Sequence, residues 1–180
     1  GYDAVMQAEG GLMSITGDED GSPFRMGVAI ADLTAGLMAV QGILLALFAR
    51  ERTGRGQRVD VAMMDAVVSL LSYQASAYLN AGAMPQRIGN RHPTIAPYDT
   101  FAAADGDFFL AIGNDQQFQR FCEFAGCPAL ASDVRFATNA QRVGNRDALI
   151  EAMKPVLASK PSAHWLENLA RLKIGCGPIN

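Results

Sequence analysis

The chain has 180 residues, 49% of them hydrophobic, and a formal net charge of -3. That is the composition of a folded globular protein, and it excludes a disordered or strongly charged one. The basic residues form no cluster that would suit nucleic acid, and Cys122, Cys127, Cys176, His92 and His164 fit no zinc or redox spacing, so we expect reduced thiols, a cytoplasmic protein and no metal.

Residues 2–9 are read as a short helix that Gly10-Gly11 ends. Residues 12–26 are rich in Gly, Asp and Ser, with a turn at Asp20-Gly21-Ser22-Pro23, and should be a loop. A helix follows over about residues 30–52, apolar on nearly every face. We expect it to be a buried core helix rather than a membrane span, because its most apolar part, 33–49, is short for a bilayer and holds Gln41 and two glycines. Gly54 should stop it in a left-handed turn. Residues 57–62 alternate polar and apolar, as a half-exposed strand does. A helix over about 64–80 comes next, with Val67, Leu70, Leu71 and Tyr78 at helical spacing.

Residues 81–97 lose this periodicity and carry Gly82, Pro85, Gly89, Pro93 and Pro97; a boundary is placed here. Two apolar runs, 98–103 and 108–112, flank Asp105-Gly106 and predict a hairpin. Helices are expected over 116–125, 146–157 and 162–172, begun by Asn114-Asp115, Asn145 and Ser162. Trp165 should be core, His164 a surface residue, and the end of the chain a turn entering another element. The first residue is not Met, and we expect part of a longer protein.

Asp32 is the residue of greatest chemical interest. It stands in Gly27-Val28-Ala29-Ile30-Ala31-Asp32-Leu33-Thr34-Ala35-Gly36, among small residues that leave room for a substrate. The start of the long helix offers partial positive charge and unpaired N–H groups, which favour an ionised carboxylate. Two readings stand: a helix cap or a carboxylate nucleophile. Arg55 and Arg58 suit solvated loop positions, Asp60 a surface group and Asp65 a helix cap.

The order of segments adds to this. Gly10-Gly11-Leu12-Met13-Ser14-Ile15-Thr16-Gly17 precedes the Asp32 segment; Arg52-Thr53-Gly54-Arg55-Gly56-Gln57, Val61-Ala62-Met63-Met64-Asp65, Gly89-Asn90-Arg91-His92-Pro93, Pro97-Tyr98 and Gly175-Cys176-Gly177-Pro178 follow. Together they resemble the family III CoA-transferases over essentially the whole chain. The resemblance implies transfer of CoA from an acyl-CoA to a small free carboxylic acid, through an aspartyl-CoA thioester on Asp32. It implies no tightly bound cofactor; the coenzyme A thioester is a substrate. It implies α/β and α+β architecture: residues 1–64 as part of a Rossmann-like large domain, 65–97 as linker helix and Pro/Gly-rich linker, and 98–180 as a small α+β domain. An interlocked homodimer follows from the same likeness; no nucleic acid or membrane partner is expected, from the lack of a basic cluster and the shortness of the apolar stretch.

The resemblance also marks Tyr2 and Asp3 as site-lining, Met63 as a CoA contact with core filler as its plain alternative, and Gly89, Asn90, Arg91 and His92 as the loop that shields the intermediate. Only Gly89 of that loop is glycine, so a glycine-rich lid is not expected, and His92 with Arg91 would meet a substrate carboxylate. The related α-methylacyl-CoA racemases or epimerases pair their Asp with a His at the position of Tyr2. A tyrosine with an ordinary pKa near ~10 is a poor base at neutral pH, which favours transfer over racemisation. A non-catalytic interaction domain on the same scaffold is the remaining alternative. Taken alone, the chain is expected to bind CoA weakly and to self-associate through uncovered apolar surface.

Overall fold

The computed structural model describes residues 1–180, which divide into two compact units, Gly1–Gly89 and Asn90–Asn180.

The first unit is helical: α1 (Asp3–Glu9), a single 3-10 turn (Met13–Ile15), α2 (Ile30–Thr53), α3 (Met63–Leu70) and α4 (Ser72–Ala81). Its small core is Leu12, Ala31 and Val67, with Met6, Ile15, Ile30, Met63, Leu70 and Leu71 packed around them. Gly10 makes this packing possible. A Cβ there would lie 2.3 Å from Val67 Cγ1 and 2.9 Å from Met6 O, so only glycine lets the end of α1 rest on α3. Gly54 ends α2 at φ +67°, the expected left-handed stop.

Three expectations fail in this unit. Residues 57–62 form no strand; their alternation is real, but nothing in the unit pairs with them. The helix after them is two helices, broken at Leu71-Ser72, where Ser72 takes φ +48°. The third is α2, which is not buried. Ala31 is its one buried residue, while Leu37, Leu45 and Phe48 are 65%, 68% and 58% exposed. By length and composition α2 could cross a membrane.

The second unit joins a three-stranded antiparallel sheet, order β1-β2-β3, to a set of helices. Strand β1 (Tyr98–Ala102) pairs with β2 (Asp107–Ala111) in the register Thr100↔Phe109. This is the hairpin expected around Asp105-Gly106. Helices α5 (Asp115–Phe124), α6 (Pro128–Ser132), α7 (Asn139–Gly144), α8 (Arg146–Leu157) and α9 (Ser162–Arg171) follow. The chain ends on β3 (Gly175–Pro178), which pairs with β2 through Phe109↔Gly177; the expected turn is a strand.

Alternation along β2 sends Phe108 and Leu110 inward. They meet Phe118 and Phe121 of α5, Leu149, Met153 and Leu157 of α8, and Trp165 and Leu169 of α9 in one core. Trp165 satisfies its indole N–H on Leu157 O at 2.8 Å. His164 is half-buried, not a free surface residue, and stacks on Phe124 with ring centroids 5.6 Å apart.

The caps differ in part from expectation. Asn114 caps α5, its Oδ1 accepting from Gln117 N at 2.9 Å. Asn145 precedes α8 but caps nothing with its side chain; its amide donates back to Gln141 O and Arg135 O. For α9 the acceptor is Asp105 Oδ1, 2.6 Å from Ser162 N. A tight turn in the hairpin thus caps a helix 57 residues away, and Ser162 is the donor rather than the cap. Asp65 likewise lies inside the first turn of α3, whose N-cap is Ala62.

Candidate functional site

Asp32 is the third residue of α2, solvent-exposed, within the first turn. It does not cap the helix. The N-cap is Ala29, whose side chain offers no acceptor, and the capping is supplied from α1: Asp3 Oδ1 accepts from Ala31 N at 2.8 Å. Asp3 Oδ2 in turn accepts from Gln7 Nε2 at 2.7 Å. Gln7 is fully buried, and its Oε1 takes Met26 N at 2.9 Å. One carboxylate and one amide thus fasten the approach to α2 and free Asp32 from that duty.

The surroundings of Asp32 are open. A Cβ built on Gly27, or on Gly36 one turn along the same helix face, would meet nothing within 4 Å. The N-terminal end of a 24-residue helix lies beneath the carboxylate, a setting worth about 0.3–1 kcal/mol to an anion at an exposed first turn.

Tyr2 and Asp3 stand beside this turn through the Asp3–Ala31 bond; Tyr2 is the N-cap of α1 and 83% exposed. Met63, the first residue of α3, is half-buried and packs on the cluster that contains Ala31. The first unit therefore collects Tyr2, Asp3, Asp32 and Met63 around the start of α2. Gly89 lies elsewhere in that unit. It adopts φ +61° and donates its N–H to Gly17 O at 3.0 Å. Arg87 holds the same loop, with Nη2 3.0 Å from Gly21 O. A cavity of about 400 Å³ runs along α3 and α4, lined by residues such as Ser14, Leu71, Tyr78 and Met84. None of the eight sequence-derived site residues lines it.

Asn90, Arg91 and His92 belong to the second unit and are braced there. Asn90 Nδ2 donates to Thr100 Oγ1 at 2.9 Å. Arg91 faces Asp99 at 3.6 Å and Asp147 at 3.8 Å. His92 Nδ1 accepts from Thr94 N at 3.2 Å, and its ring lies 5.2 Å from that of Tyr98. With Nδ1 engaged as an acceptor, the neutral ring presents Nε2–H as its donor.

Sequence reasoning missed what supports this segment. Arg146 Nη2 donates to His92 O at 2.7 Å; burial, and then the neighbouring Arg91, hold its guanidinium below the usual arginine range. Arg142 is fully buried and donates to Ala96 O at 2.7 Å, Phe136 O at 3.0 Å and Asp115 Oδ1 at 2.8 Å, with its guanidinium over the Phe118 ring. Asn139 clamps the same turn, accepting from Ala96 N and donating to Thr94 O. No local signal marked them: Arg142 lies in α7 and Arg146 begins α8, and their backbone partners lie in other segments of the chain. Arg55 and Arg58 are exposed, and Arg58 pairs with Asp60 at 2.6 Å. No group of three or more His, Cys, Asp or Glu side chains is arranged for a metal ion.

The arrangement offers an exposed carboxylate at a helix start in one unit and a braced cationic turn in the other. The whole chain, residues 1–180, matches the family model described as CoA-transferase family III, and the protein belongs to that family. It is 42% identical over 179 residues to an acetyl-CoA:oxalate CoA-transferase of Acetobacter aceti, covering 99% of this chain and 46% of the relative. It is 45% identical over 180 residues to a succinate–glutarate CoA-transferase of Agrobacterium fabrum (strain C58), covering 100% of this chain and 45% of the relative. Among solved structures, a CAIB/BAIF family protein from Brucella suis superposes with a TM-score of 0.86 at 44% identity, over 100% of this chain and 48% of that one. The chain spans about half the length of the curated relatives it matches.

Proposed function

We propose that this chain is a portion of an acyl-CoA:carboxylate CoA-transferase and that Asp32 is its nucleophile. The observation that carries the reading is the division of labour at the start of α2: Asp3 takes the capping bond at 2.8 Å, and Asp32 stays exposed in open space. An Asp32 oxygen attacks the thioester carbonyl, and the CoA thiolate leaves; the product is a mixed anhydride. The thiolate then attacks the Asp32 carbonyl carbon and expels the donor acid as a carboxylate, leaving an aspartyl-CoA thioester. The acceptor carboxylate reverses both steps and restores Asp32. A carboxylate is a weak nucleophile in water and needs the reacting carbonyl held against it in a drier setting. We assign that shielding to the parts of the relatives' length that this chain does not span.

The acids named for the relatives, oxalate and glutarate, are dicarboxylates. We assign Arg91 and His92 to a substrate carboxylate on that ground and on their charge. The exposed apolar surface of α2 supports burial in an interlocked homodimer with a Rossmann-like large domain, and the three free thiols support a cytoplasmic setting.

The test uses the longer protein that carries this sequence. Asp32→Ala should abolish transfer between succinyl-CoA and a panel of acids, and hydroxylamine after incubation with acyl-CoA should yield a hydroxamate at Asp32 in the unaltered protein only. Undiminished transfer by Asp32→Ala would overturn the assignment. Solvent deuterium entering the α-carbon without transfer would point to a racemase instead.

A further inference from the structure

Cys122 lies in α5 and Cys127 just beyond its end, at a spacing that fits no familiar redox motif in the sequence. The end of α5 changes that. Cys127 N donates to Cys122 O at 2.9 Å and Gly126 N to Glu123 O at 3.3 Å, with Gly126 at φ +72°. These two bonds and the left-handed glycine are a Schellman motif, in which the third residue from the helix end and the residue just after the glycine commonly bring their side chains together. Those two residues are Cys122 and Cys127. Cys122 is fully buried in the core of the second unit, and Cys127 packs on the same cluster from its partly exposed rim.

We propose that Cys122 and Cys127 form a dithiol modification site, which an oxidant of the peroxide class converts to an intramolecular disulfide. The Cys127 thiolate attacks the peroxide oxygen, giving a sulfenic acid and releasing hydroxide. The Cys122 sulfur then attacks the Cys127 sulfur; the sulfenic oxygen leaves as water and carries the Cys122 proton with it. The two thiols are oxidised and one peroxide is reduced. The order follows from access, since the rim thiol meets the oxidant first. Electrostatics agree: a hydrogen bond from Cys122 holds the Cys127 thiol below its ordinary value, and the same bond, with burial, pushes Cys122 far up. Cys176 is the internal control. It sits on β3 with its thiol pushed up by burial, directed to Leu166 O at 3.6 Å. The proposal is independent of the activity assigned to Asp32.

The test treats this chain with hydrogen peroxide, alkylates it under denaturing conditions, and examines the tryptic peptide from Phe121 to Arg135, which holds both thiols. The expected result is a peptide lighter by two hydrogens that resists alkylation until reduced, while Cys176 is alkylated throughout. In Cys127→Ser, loss of the Cys122 thiol should slow about tenfold or more. In Cys122→Ser, Cys127 should stop at a sulfenic acid that dimedone traps. Should Cys122→Ser fail to fold, Cys127→Ser, altered at the rim, decides. The proposal is overturned if Cys127 advances to sulfinic acid while Cys122 remains alkylatable, or if both thiols react no faster than Cys176.

Discussion

Replacing Asp3 tests whether the start of α2 is held from α1. In Asp3→Ala the helix loses its capping acceptor at Ala31 N, which costs about 1 kcal/mol for a typical N-cap. The second loss is larger. Gln7 is fully buried, and without Asp3 its Nε2 keeps only a 3.5 Å approach to Val28 O. An amide left short of a partner in the core costs about 1–3 kcal/mol. The sum is about 2–4 kcal/mol, a large share of the stability of a small domain. Asp3→Asn keeps one acceptor for Ala31 N but forfeits the charge and the second acceptor, and should cost about half as much. Urea denaturation of this chain, followed by circular dichroism, measures both. A loss under about 0.5 kcal/mol for Asp3→Ala would show that the two bonds do not hold the helix start. In the longer protein the same variant should lower transfer activity through disorder of the Asp32 turn, while Gln7→Ala should mimic it without altering any charge.

Two further outcomes are expected. Arg142→Met preserves the apolar stem but strips Ala96 O and Phe136 O of their buried donor, and should cost about 3–5 kcal/mol; Asp115→Asn, at a half-exposed partner, should cost under about 1 kcal/mol. Denaturation midpoints of the two variants separate these, and equal losses would mean the carbonyls are not what Arg142 serves. Gly10→Ala drives a methyl into Val67 and should cost about 1–3 kcal/mol; the Val67→Ala background should relieve much of that loss, and strictly additive effects in the double-mutant cycle would contradict the close packing.

What could be read from the sequence was what local chemistry decides. The bounds of α2, its stop at Gly54, the Asp105-Gly106 hairpin and the Asn114 cap each follow from residues within a few positions of one another. What could not be read depends on partners distant in the chain. Asp3 caps a helix 28 residues on, and Asp105 caps one 57 residues on, while the residues at the obvious cap positions, Asn145 and Ser162, do other work. Strand β3 escaped because Gly175-Cys176-Gly177-Pro178 has no apolar alternation; it is a strand only because β2 offers an edge. The position of Asp32 in the first turn of α2 was legible, but its release from capping was not.

The long helix poses the remaining question, since an all-round apolar composition reports that a surface is to be covered and not by what. Leu37, Val40, Leu44, Leu45 and Phe48 are all more than half exposed. At about 25 cal/mol per Å² of apolar surface, fully burying a side chain of that size is worth roughly 1.5–3 kcal/mol, and covering the exposed half or more of each of these is worth roughly 1–2 kcal/mol, so the uncovered helix as a whole forgoes more stabilisation than any single bond described above supplies. A folded domain of ordinary stability has little room for such a loss. The same surface, left in water, would draw copies of this chain together. The catalytic carboxylate we propose begins the very helix whose flanks are uncovered, so the element that positions Asp32 is also the one most in need of packing. Rigidity at Asp32 is therefore expected to depend on what covers α2 as much as on the bonds that Asp3 and Gln7 make at its first turn.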